Sequence, residues 1–534
     1  MYDKLRDHRH WVLPEVLASQ ARTRGAENFV ATLDGDSLTY AQAEAEAARV
    51  AGFFAALGVR PGDTVAVMLP NGLDFIRAWL GLGRLGAIFV ALNTGLKGAF
   101  LEHQLRNSGA RVALVHRSYL DVVGEVVGRA PALAMVTTAG TGREIAGFAE
   151  PRSLPFDGWR DAAAYAGPMP ASRDIACVMY TSGTTGPSKG VLMPHAHCYL
   201  FGLGAIDSLT LTERDRYYIA MPLYHVNGLF MQLYATLIAG ASAMVRGHFS
   251  ASEWLADVRR SRATVTNTLG AMTAFIFAQL ETTEDRGHCL RIIQAAPNTA
   301  EADRIWRQRF GLAEMLSGFG MTEANIPVYG RQGATRPGTS GLVYDRYFEV
   351  EIRHPETDDP MPPGEVGEIM VRPRVPFGFM AGYLHMPEST VEAWRNFWFH
   401  TGDAGTIDTD GYVSFIDRIK DCIRRRGENI SSFEVEAAIA RMPGVKEAAA
   451  FAVPSGIPGG EDEVMLLVVP LAGHDLKAEA VAAFAASALP RFAQPRFIEI
   501  ADKLPKTPTE KVQKAKLRQR GVTAATWDRE AARV

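Results

Sequence analysis

Short apolar runs, rich in β-branched residues, recur through the first 340 residues and alternate with helical stretches. Amphipathic segments such as 39–58, 252–261 and 300–311 separate several of the runs. A continuous apolar run is typical of a strand that is buried on both faces. The alternation therefore predicts an α/β fold, with helices covering mostly parallel sheets. The runs are TVAVMLP (64–70), AIFVAL (87–92), ARVALV (110–115), IACVMYT (175–181), YYIAM (217–221), ASAMV (241–245), TVTNTL (264–269) and LRIIQAA (290–296).

The helix predicted over 39–58 carries its own boundary signals. Thr39 is a plausible N-cap, and Gly58 follows the last apolar residue as a stop.

The pattern changes after about residue 340. FEVEIR (348–353), EVGEIMVR (365–372) and GYVSFIDR (411–418) alternate apolar with polar residues. That period of two is typical of half-exposed antiparallel strands. Beyond residue 417, helical and strand patterns form a compact α+β set. We therefore expect a large N-terminal domain over 1–417, which includes a small β-barrel-like subdomain, and a small C-terminal domain over 418–534.

Composition excludes several classes of protein. The 534 residues are 47% hydrophobic and 22% charged, as in ordinary folded chains. Fifty-six basic and 59 acidic side chains give a net charge of -3, so no global positive field is available to hold nucleic acid. No run of about 18 apolar residues predicts a membrane span. The charged start MYDKLRDHRH does not resemble a signal peptide. Four dispersed cysteines favour a reducing compartment, so the expected location is cytoplasmic.

Three short motifs match functional patterns, but their surroundings do not fit. Gly81–Gly86 has the dinucleotide-binding spacing, yet a helical segment precedes it and a strand follows, which favours a glycine-rich helix end packed on a sheet. Gly186–Gly190 has the spacing of a hydrolase nucleophile elbow, yet no helix follows. His195 and His197 beside Cys198 form no complete metal-ligand set, since no second cluster accompanies them.

The segment YTSGTTGPSKGV (180–191) is far more specific. It places three glycines, five serine and threonine side chains and one lysine between two apolar strands. Glycines let backbone N–H groups turn toward an anion, hydroxyls add donors, and Lys189 adds a positive charge. The spacing is not that of a Walker loop. This composition predicts a loop that binds polyphosphate.

At this point the chain resembles the adenylate-forming enzymes, which include acyl-CoA synthetases, luciferase and adenylation domains. Six motifs occur in the family order and span nearly the whole chain, and the subgroup most like it is the carnitine/crotonobetaine-CoA ligase-like synthetases. Besides the phosphate loop, these motifs are MPLYHVNG (221–228), GFGMTEA (318–324), TGD (401–403), DRIKDCIRRRGENIS (417–431) and LPKTPTEKVQKAKLR (504–518).

The resemblance implies an ATP-dependent ligase with two half-reactions. A carboxylic acid attacks ATP to give acyl-AMP and pyrophosphate, and coenzyme A then displaces AMP to give a thioester. Catalysis of the first step should be mainly positioning and electrostatic stabilisation. By resemblance, Lys511 bridges the carboxylate and the α-phosphate, Thr322 contacts the α-phosphate, and Glu323 holds Mg²⁺. His225 is expected to gate the carboxylate pocket.

Further nucleotide ligands follow from the same motifs. Phe319 would stack on adenine, although the family commonly has Tyr there, and Asp403 would accept the ribose hydroxyls. Glu510 stands where the family usually has Gly before the catalytic lysine. The full set implied for ATP and AMP is Thr181, Ser182, Gly183, Thr184, Thr185, Gly186, Lys189, Gly318, Phe319, Gly320, Asp403 and Arg418.

The second half-reaction requires Lys511 to leave. In this family the C-terminal domain is mobile and rotates about a hinge, which corresponds here to Lys420. Rotation would bring Gly427 to the pantetheine arm, while Arg424, Arg425 and Arg426 meet the CoA phosphates or form a solvated basic turn.

The motifs leave the identity of the carboxylic acid open. The pocket walls implied by resemblance are mostly small or apolar, which favours a neutral, medium-sized acid. Phe230 and Phe275 are the aromatic residues nearby, and they do not establish a cage for a quaternary ammonium. A homodimer is one option for the oligomeric state. The expected pocket residues are His225, Val226, Asn227, Gly228, Met231, Gly270, Ala271, Phe275, Ala295, Ala296 and Asn325.

Two other readings of the same motifs remain. A freestanding acyl-AMP ligase would pass the acyl group to a carrier protein instead of CoA. A catalytically degenerate AMP-binding regulator would bind nucleotide without turnover, but intact Glu323, Asp403 and Lys511 favour an enzyme.

Overall fold

The computed structural model describes residues 1–140, 152–181, 187–296, 298–418, 422–425, 428–455, 461–505 and 512–531. Its α-helices are α1 (Leu13–Arg24), α2 (Tyr40–Ala56), α3 (Leu73–Leu85), α4 (Gly98–Ser108), α5 (Leu120–Val127), α6 (His195–Leu209), α7 (Ala235–Ala239), α8 (Ala251–Ser261), α9 (Gly270–Phe277), α10 (Ala300–Gln308), α11 (Pro387–Ala393), α12 (Ser432–Ile439), α13 (Ala478–Ala488) and α14 (Lys514–Arg520). A π-helix spans Asn227–Tyr234 and runs directly into α7.

The strands of the first 316 residues are β1 (Asn28–Thr32), β2 (Ser37–Thr39), β3 (Thr64–Met68), β4 (Ile88–Ala91), β5 (Val112–His116), β6 (Met135–Ala139), β7 (Arg152–Pro155), β8 (Ile175–Thr181), β9 (Lys189–Pro194), β10 (Arg216–Ile219), β11 (Ser242–Val245), β12 (Val265–Leu269), β13 (Ile292–Ala296) and β14 (Met315–Leu316). The later strands are β15 (Gly318–Met321), β16 (Asn325–Tyr329), β17 (Gly341–Val343), β18 (Phe348–Arg353), β19 (Gly367–Pro373), β20 (Gly382–Tyr383), β21 (Phe399–Ile407), β22 (Tyr412–Arg418), β23 (Cys422–Arg425), β24 (Glu428–Ser431), β25 (Val445–Pro454), β26 (Asp462–Pro470), β27 (Phe497–Ile500) and β28 (Trp527–Asp528).

Two mostly parallel sheets form the bulk of the N-terminal part. One has the order β14-β13-β12-β10-β11-β1-β2, and the other β20-β9-β8-β4-β3-β5-β6-β7. Antiparallel pairing enters at β2, β9 and β20. The eight apolar runs all became strands of these sheets. The predicted α/β class is therefore confirmed.

A third sheet, with the order β15-β16-β17-β22-β21-β19-β18, is antiparallel. It contains the three segments whose alternation predicted half-exposed strands. The C-terminal part holds the hairpin β23–β24 and the sheet β25-β26-β27-β28, packed with α12 and α13. That arrangement confirms an α+β unit at this end of the chain.

Local signals fixed α2 as predicted. The Thr39 hydroxyl accepts a hydrogen bond from the Gln42 backbone nitrogen, and the Gln42 side chain accepts one from the Thr39 nitrogen. This capping box satisfies two backbone donors at the helix start.

The glycine-rich motif at 81–86 packs differently from the prediction. It forms the end of α3, as expected, but it lies against helices instead of a sheet. A Cβ at Gly81 would come within 2.3 Å of the Val50 side chain of α2, and one at Gly83 within 2.7 Å of Leu13 of α1. The glycines are there because α3 approaches its two neighbouring helices closely.

Candidate active site

The phosphate loop joins β8 to β9, so its two ends are neighbours in the sheet. Thr181 and Lys189 are paired across the antiparallel ladder. Ser182, Gly183, Thr184, Thr185 and Gly186, between them, lie outside the described residues.

Glu323 connects this loop to the turn between β15 and β16. Its buried carboxylate accepts hydrogen bonds from the Thr181 hydroxyl at 2.9 Å and from the Tyr383 hydroxyl at 3.2 Å. The Lys189 ammonium lies 4.6 Å from the centre of the Tyr383 ring, a cation–π contact. Glu323, far in sequence from Thr181 and Lys189, therefore lies at the same place as these two residues. Tyr383 had no sequence signal.

A buried histidine holds the turn that carries Thr322. His197 Nε2 lies 2.8 Å from the Thr322 carbonyl oxygen, and burial lowers the pKa of His197 to about 4. The imidazole is therefore neutral and can donate through Nε2 while Nδ1 lies 3.2 Å from the Asn325 amide nitrogen. His197 thus positions Thr322 and is not part of a metal set.

Asn325 has a supporting role instead of the expected pocket position. It is fully buried with φ +65, and its amide nitrogen donates to the His197 carbonyl oxygen at 3.0 Å. The turn is tight: a Cβ at Gly320 would lie 2.2 Å from the Asn325 carbonyl oxygen. A side chain at position 320 would therefore force this turn open.

The residues predicted to bind adenine and ribose lie on the antiparallel sheet. Phe319 is buried next to Gly318, and its ring is stacked on Phe415 with 5.9 Å between centroids. Asp403 is buried in β21, directly opposite Arg418 of β22, whose side chain lies outside the description. Phe415 forms the second aromatic surface here, and its apolar character in GYVSFIDR was its sole sequence signal.

The hairpin β23–β24 reaches the N-terminal part at His225. Nε2 of His225 lies 3.2 Å from the Glu428 carboxylate, which also accepts a hydrogen bond from the Asn93 amide at 3.1 Å. Burial lowers the pKa of His225, but the negative charge and hydrogen bond of Glu428 outweigh burial and raise it. These residues line a narrow cavity of about 60 Å³, together with Tyr224 and Phe492.

The start of α12 meets the far end of the phosphate loop at the same cavity. The backbone nitrogen of Ser188 donates to the Glu434 carboxylate at 2.5 Å. Burial raises the pKa of Glu434 to about 7, although the hydrogen bonds from Ser188 act in the opposite direction. A carboxylate of the C-terminal part is thus held against the loop proposed to bind phosphates.

Arg425 does not meet the expectation that it contacts CoA phosphates. It is 1% exposed, pairs with Glu463 at 2.5 Å, and donates to the backbone oxygens of Phe492 and Gln494 at 3.0 and 2.8 Å. Its side chain is therefore committed to the interior, because β-strand alternation turns position 425 inward.

Other residues predicted to act from the C-terminal part lie wholly or partly outside the description. Arg424 lies in β23, with its side chain outside the description. Lys420, Arg426, Gly427 and Lys511 fall outside the described residues.

Strand geometry turns one of the residues expected in the acid pocket away from it. Ala295 packs among the helices of another core cluster, with Trp254 and Trp306. Successive strand residues point to opposite faces, so Gln294 and Ala296 lie on the other face. The sequence reasoning missed Gln294, although the period-two alternation of LRIIQAA could have placed it there.

The remaining pocket residues lie on the π-helix and α9. Val226 and Asn227 are half-buried, Met231 is buried, and a Cβ at Gly228 would lie 2.4 Å from the Pro222 carbonyl oxygen. On α9, which starts at Gly270, Phe275 is 38% exposed, and the Ala271 side chain lies outside the description.

Among the described residues, no group of three or more His, Cys, Asp or Glu side chains could hold a metal ion. In the same ranges, no helix is long and apolar enough to cross a membrane.

Comparison with known proteins decides the family. Residues 17–384 match the family model described as AMP-binding enzyme. The chain belongs to this family. Residues 434–511 match the model for the AMP-binding enzyme C-terminal domain.

Named relatives cover nearly the whole chain. A feruloyl-CoA synthase of Amycolatopsis sp is 32% identical over 91% of this chain and 94% of its own. A crotonobetaine/carnitine–CoA ligase of Salmonella arizonae is 30% identical over 90% and 93%. The solved structure of a variant o-succinylbenzoate CoA synthetase from Bacillus subtilis, bound to a product analogue, is 25% identical, covers 96% of this chain and 99% of its own, and has a TM-score of 0.81. This AMP-binding enzyme is accordingly an acyl-CoA synthetase, which uses ATP and CoA to convert a carboxylic acid to its thioester through acyl-AMP.

Proposed function

We propose that the enzyme ligates a neutral, medium-sized carboxylic acid to CoA and divides the two half-reactions between two placements of residues 418–534 on residues 1–417. The contact of Glu428 with His225 and Asn93 carries this proposal. It places β24 of the C-terminal part at the cavity beside the candidate site.

In the first half-reaction, the N-terminal part supplies most of the nucleotide site. Thr181 and Lys189, with the loop between them, bind the β- and γ-phosphates. Phe319 and Phe415 hold the adenine, while Asp403 accepts the ribose hydroxyls.

The oxygen-rich environment of Glu323 suits a hard divalent cation. Its carboxylate and the Thr181 hydroxyl are the kind of ligand that Mg²⁺ prefers, and they lie 2.9 Å apart. Bound Mg²⁺ would neutralise charge on the phosphates. Lys511 is the proposed catalytic residue that stabilises charge between carboxylate and α-phosphate.

For the second half-reaction, we assign the present arrangement to thioester formation. The narrow cavity beneath Glu428 suits a thin flexible chain such as pantetheine, and Gly427 precedes Glu428 in the hairpin. The TM-score of 0.81 to a relative bound to a CoA-product analogue supports the assignment. Lys420 is the proposed hinge.

The neutral acid is supported by what surrounds the pocket. A relative named feruloyl-CoA synthase supports an aromatic acid, and one named crotonobetaine/carnitine–CoA ligase supports a betaine. Phe230 is 1% exposed and stacked on Phe201, so it is unavailable for an aromatic cage around a quaternary ammonium. The structure of the described pocket therefore favours the aromatic or other neutral acid over the betaine.

Two assays on one variant test the division of labour. Lys511→Ala should lower acid-dependent ATP–pyrophosphate exchange by roughly 10²–10³-fold, the effect typical of losing one preorganised donor. The same variant should form thioester from supplied acyl-AMP and CoA at close to the wild-type rate. Lys516→Ala, an exposed lysine on α14, is the matched control.

Each alternative has its own signature. Equal loss of both half-reactions in Lys511→Ala would contradict two placements. Exchange in the wild type without consumption of CoA would favour an acyl-AMP ligase, and no exchange with a broad panel of acids would favour a degenerate AMP-binding protein.

A further inference from the structure

Four side-chain amides, two from the π-helix and one each from β12 and β13, are linked by hydrogen bonds. The Asn267 amide nitrogen donates to Asn227 Oδ1 at 2.9 Å and to Gln294 Oε1 at 3.4 Å. The Gln232 amide nitrogen donates to the same Asn227 Oδ1 at 2.9 Å. The Tyr217 hydroxyl closes the group by donating to Asn267 Oδ1 at 2.6 Å. Asn227, Gln232, Asn267 and Gln294 are called the amide cluster below.

The π-helix is what brings two members together. Asn227 and Gln232 are five residues apart, which is the hydrogen-bonding period of a π-helix, so they share one face. On an α-helix, at about 100° per residue, they would lie about 140° apart. Short π-helical turns occur frequently at functional sites.

The cluster contains polar atoms that the protein itself does not satisfy. Gln294 is 6% exposed, and its amide nitrogen has no acceptor among the described residues. Gln232 is fully buried, and within the same ranges its Oε1 has no donor. The Asn227 amide nitrogen, half-buried, likewise meets no acceptor in the part of the chain that the structure describes. Buried polar groups are normally paired, so the nearly buried Gln294 amide points to a missing partner.

The Gln294 amide nitrogen lies beside a wall proposed for the acid. A Cβ at Gly318 would lie 3.6 Å from the Gln294 amide nitrogen, and Gly318 belongs to the strand that carries Phe319. Asn227 follows His225 by two residues, at the other wall. The cluster therefore lies between the carboxylate end of the pocket and the adenine strand.

The chemistry of the cluster selects a kind of partner. The amide N–H groups of Gln294 and Asn227 donate to oxygen lone pairs, so they suit a substituent that contains oxygen. The cluster and Tyr217 carry no formal charge, so an ammonium or carboxylate here would be buried without a counter-ion.

We propose that the amide cluster selects carboxylic acids that carry a neutral oxygen substituent, a hydroxyl, ether or keto group, on the body of the acid. This specificity rests on the proposed function, because it concerns the acid that the ligase activates. Gln294 and Asn227 contact the substituent, whereas Asn267 and Gln232 position them.

Paired acids test the preference in the wild type. ATP–pyrophosphate exchange is measured with cinnamate against para-hydroxycinnamate and para-methoxycinnamate, and with octanoate against ω-hydroxyoctanoate. The oxygenated member of the preferred pair should have a kcat/KM roughly 10- to 100-fold higher, because a site built to bond an oxygen leaves its polar groups unpaired with the plain acid.

Variants then show which residues cause the preference for the oxygenated acid. Gln294→Leu and Asn227→Leu should bring the ratio toward unity by lowering kcat/KM for the oxygenated acid, with little change for the plain acid. Gln20→Leu is the matched control, since Gln20 is also a buried amide but bonds the Ile238 carbonyl oxygen at 2.9 Å. Gln294→Met repeats the test with a flexible side chain if Gln294→Leu lowers the Tm.

The outcomes separate the two levels of the proposal. Exchange with equal kcat/KM for every pair would overturn the preference and leave the ligase function standing. A preference that survives in all cluster variants would also overturn it, since other residues would then select the acid. No exchange with any acid would overturn the proposed function and this specificity together.

Discussion

Arg425→Met gives a sharp test of whether Arg425 binds CoA or holds the C-terminal domain together. The guanidinium is paired with Glu463 at 2.5 Å and bonds two backbone oxygens, all in the interior of the C-terminal part. Methionine keeps much of the side-chain volume but leaves the buried Glu463 carboxylate without its paired guanidinium.

The magnitude follows from that unpaired carboxylate. Removing one partner of a buried ion pair typically costs about 3–5 kcal/mol. A folded domain is stable by about 5–15 kcal/mol in total, so the loss should be large against the whole. Replacing both charged residues costs far less stability than replacing one. The double variant Arg425→Met, Glu463→Met should therefore be at least about 2 kcal/mol more stable than Arg425→Met alone.

Urea unfolding, monitored by circular dichroism and tryptophan fluorescence, measures the free energy of unfolding of the wild type, the single variant and the double variant. Arg441→Met is the matched control: Arg441 is exposed just after α12 and should change stability by no more than about 0.5 kcal/mol. A loss below about 1 kcal/mol in Arg425→Met would refute the structural role, and so would a double variant no more stable than the single one. A raised KM for CoA at unchanged stability would instead support a role of Arg425 in CoA binding.

Three further changes follow from other contacts. The pKa of Glu434 is raised to about 7 where this residue contacts Ser188, against an ordinary 4.5. The contact between the C-terminal and N-terminal parts is therefore most stable below about pH 4.5, and this stability is lost as pH rises through 7. Thioester formation from acyl-AMP should therefore fall over that window in the wild type and not in Glu434→Gln, and parallel profiles would contradict this. Glu428→Gln should lower the pKa of His225 in an NMR titration, because the carboxylate now raises it; an unchanged pKa would mean that the pair does not form in solution. Gly228→Ala should destabilise the fold by roughly 1–3 kcal/mol in thermal unfolding, since its Cβ would lie 2.4 Å from a carbonyl oxygen. Gly128→Ala, with open space around it, is the control, and equal stability of the two variants would disprove the steric conflict.

Much of the fold was predictable because its signals are local. The capping box of α2 and the apolar runs of β3, β5, β8 and β13 depend on nearby residues, and each became the expected element. The phosphate-loop composition likewise pointed to its chemistry. What could not be predicted was antiparallel pairing at β9 and β20, which depends on partners distant in sequence.

The contacts of the site residues could be predicted less fully, because they depend on side-chain direction and on residues distant in sequence. Ala295 was expected in the pocket and faces another core, Asn325 turned out to support His197, and Arg425 points inward. In each case the residue lies in the expected motif, but the face of the strand or turn decides what its side chain meets.

The sequence by itself determined the alternation of strands and helices and the order of the six motifs, and it predicted a polyphosphate loop. These depend on residues that are close in the chain, so composition and spacing carry them. The tertiary structure alone decided that Glu428 meets His225, that Glu434 meets Ser188, and that four amides from the π-helix, β12 and β13 meet with polar atoms to spare. Such contacts arise from packing between segments far apart in the chain, and no local pattern encodes them.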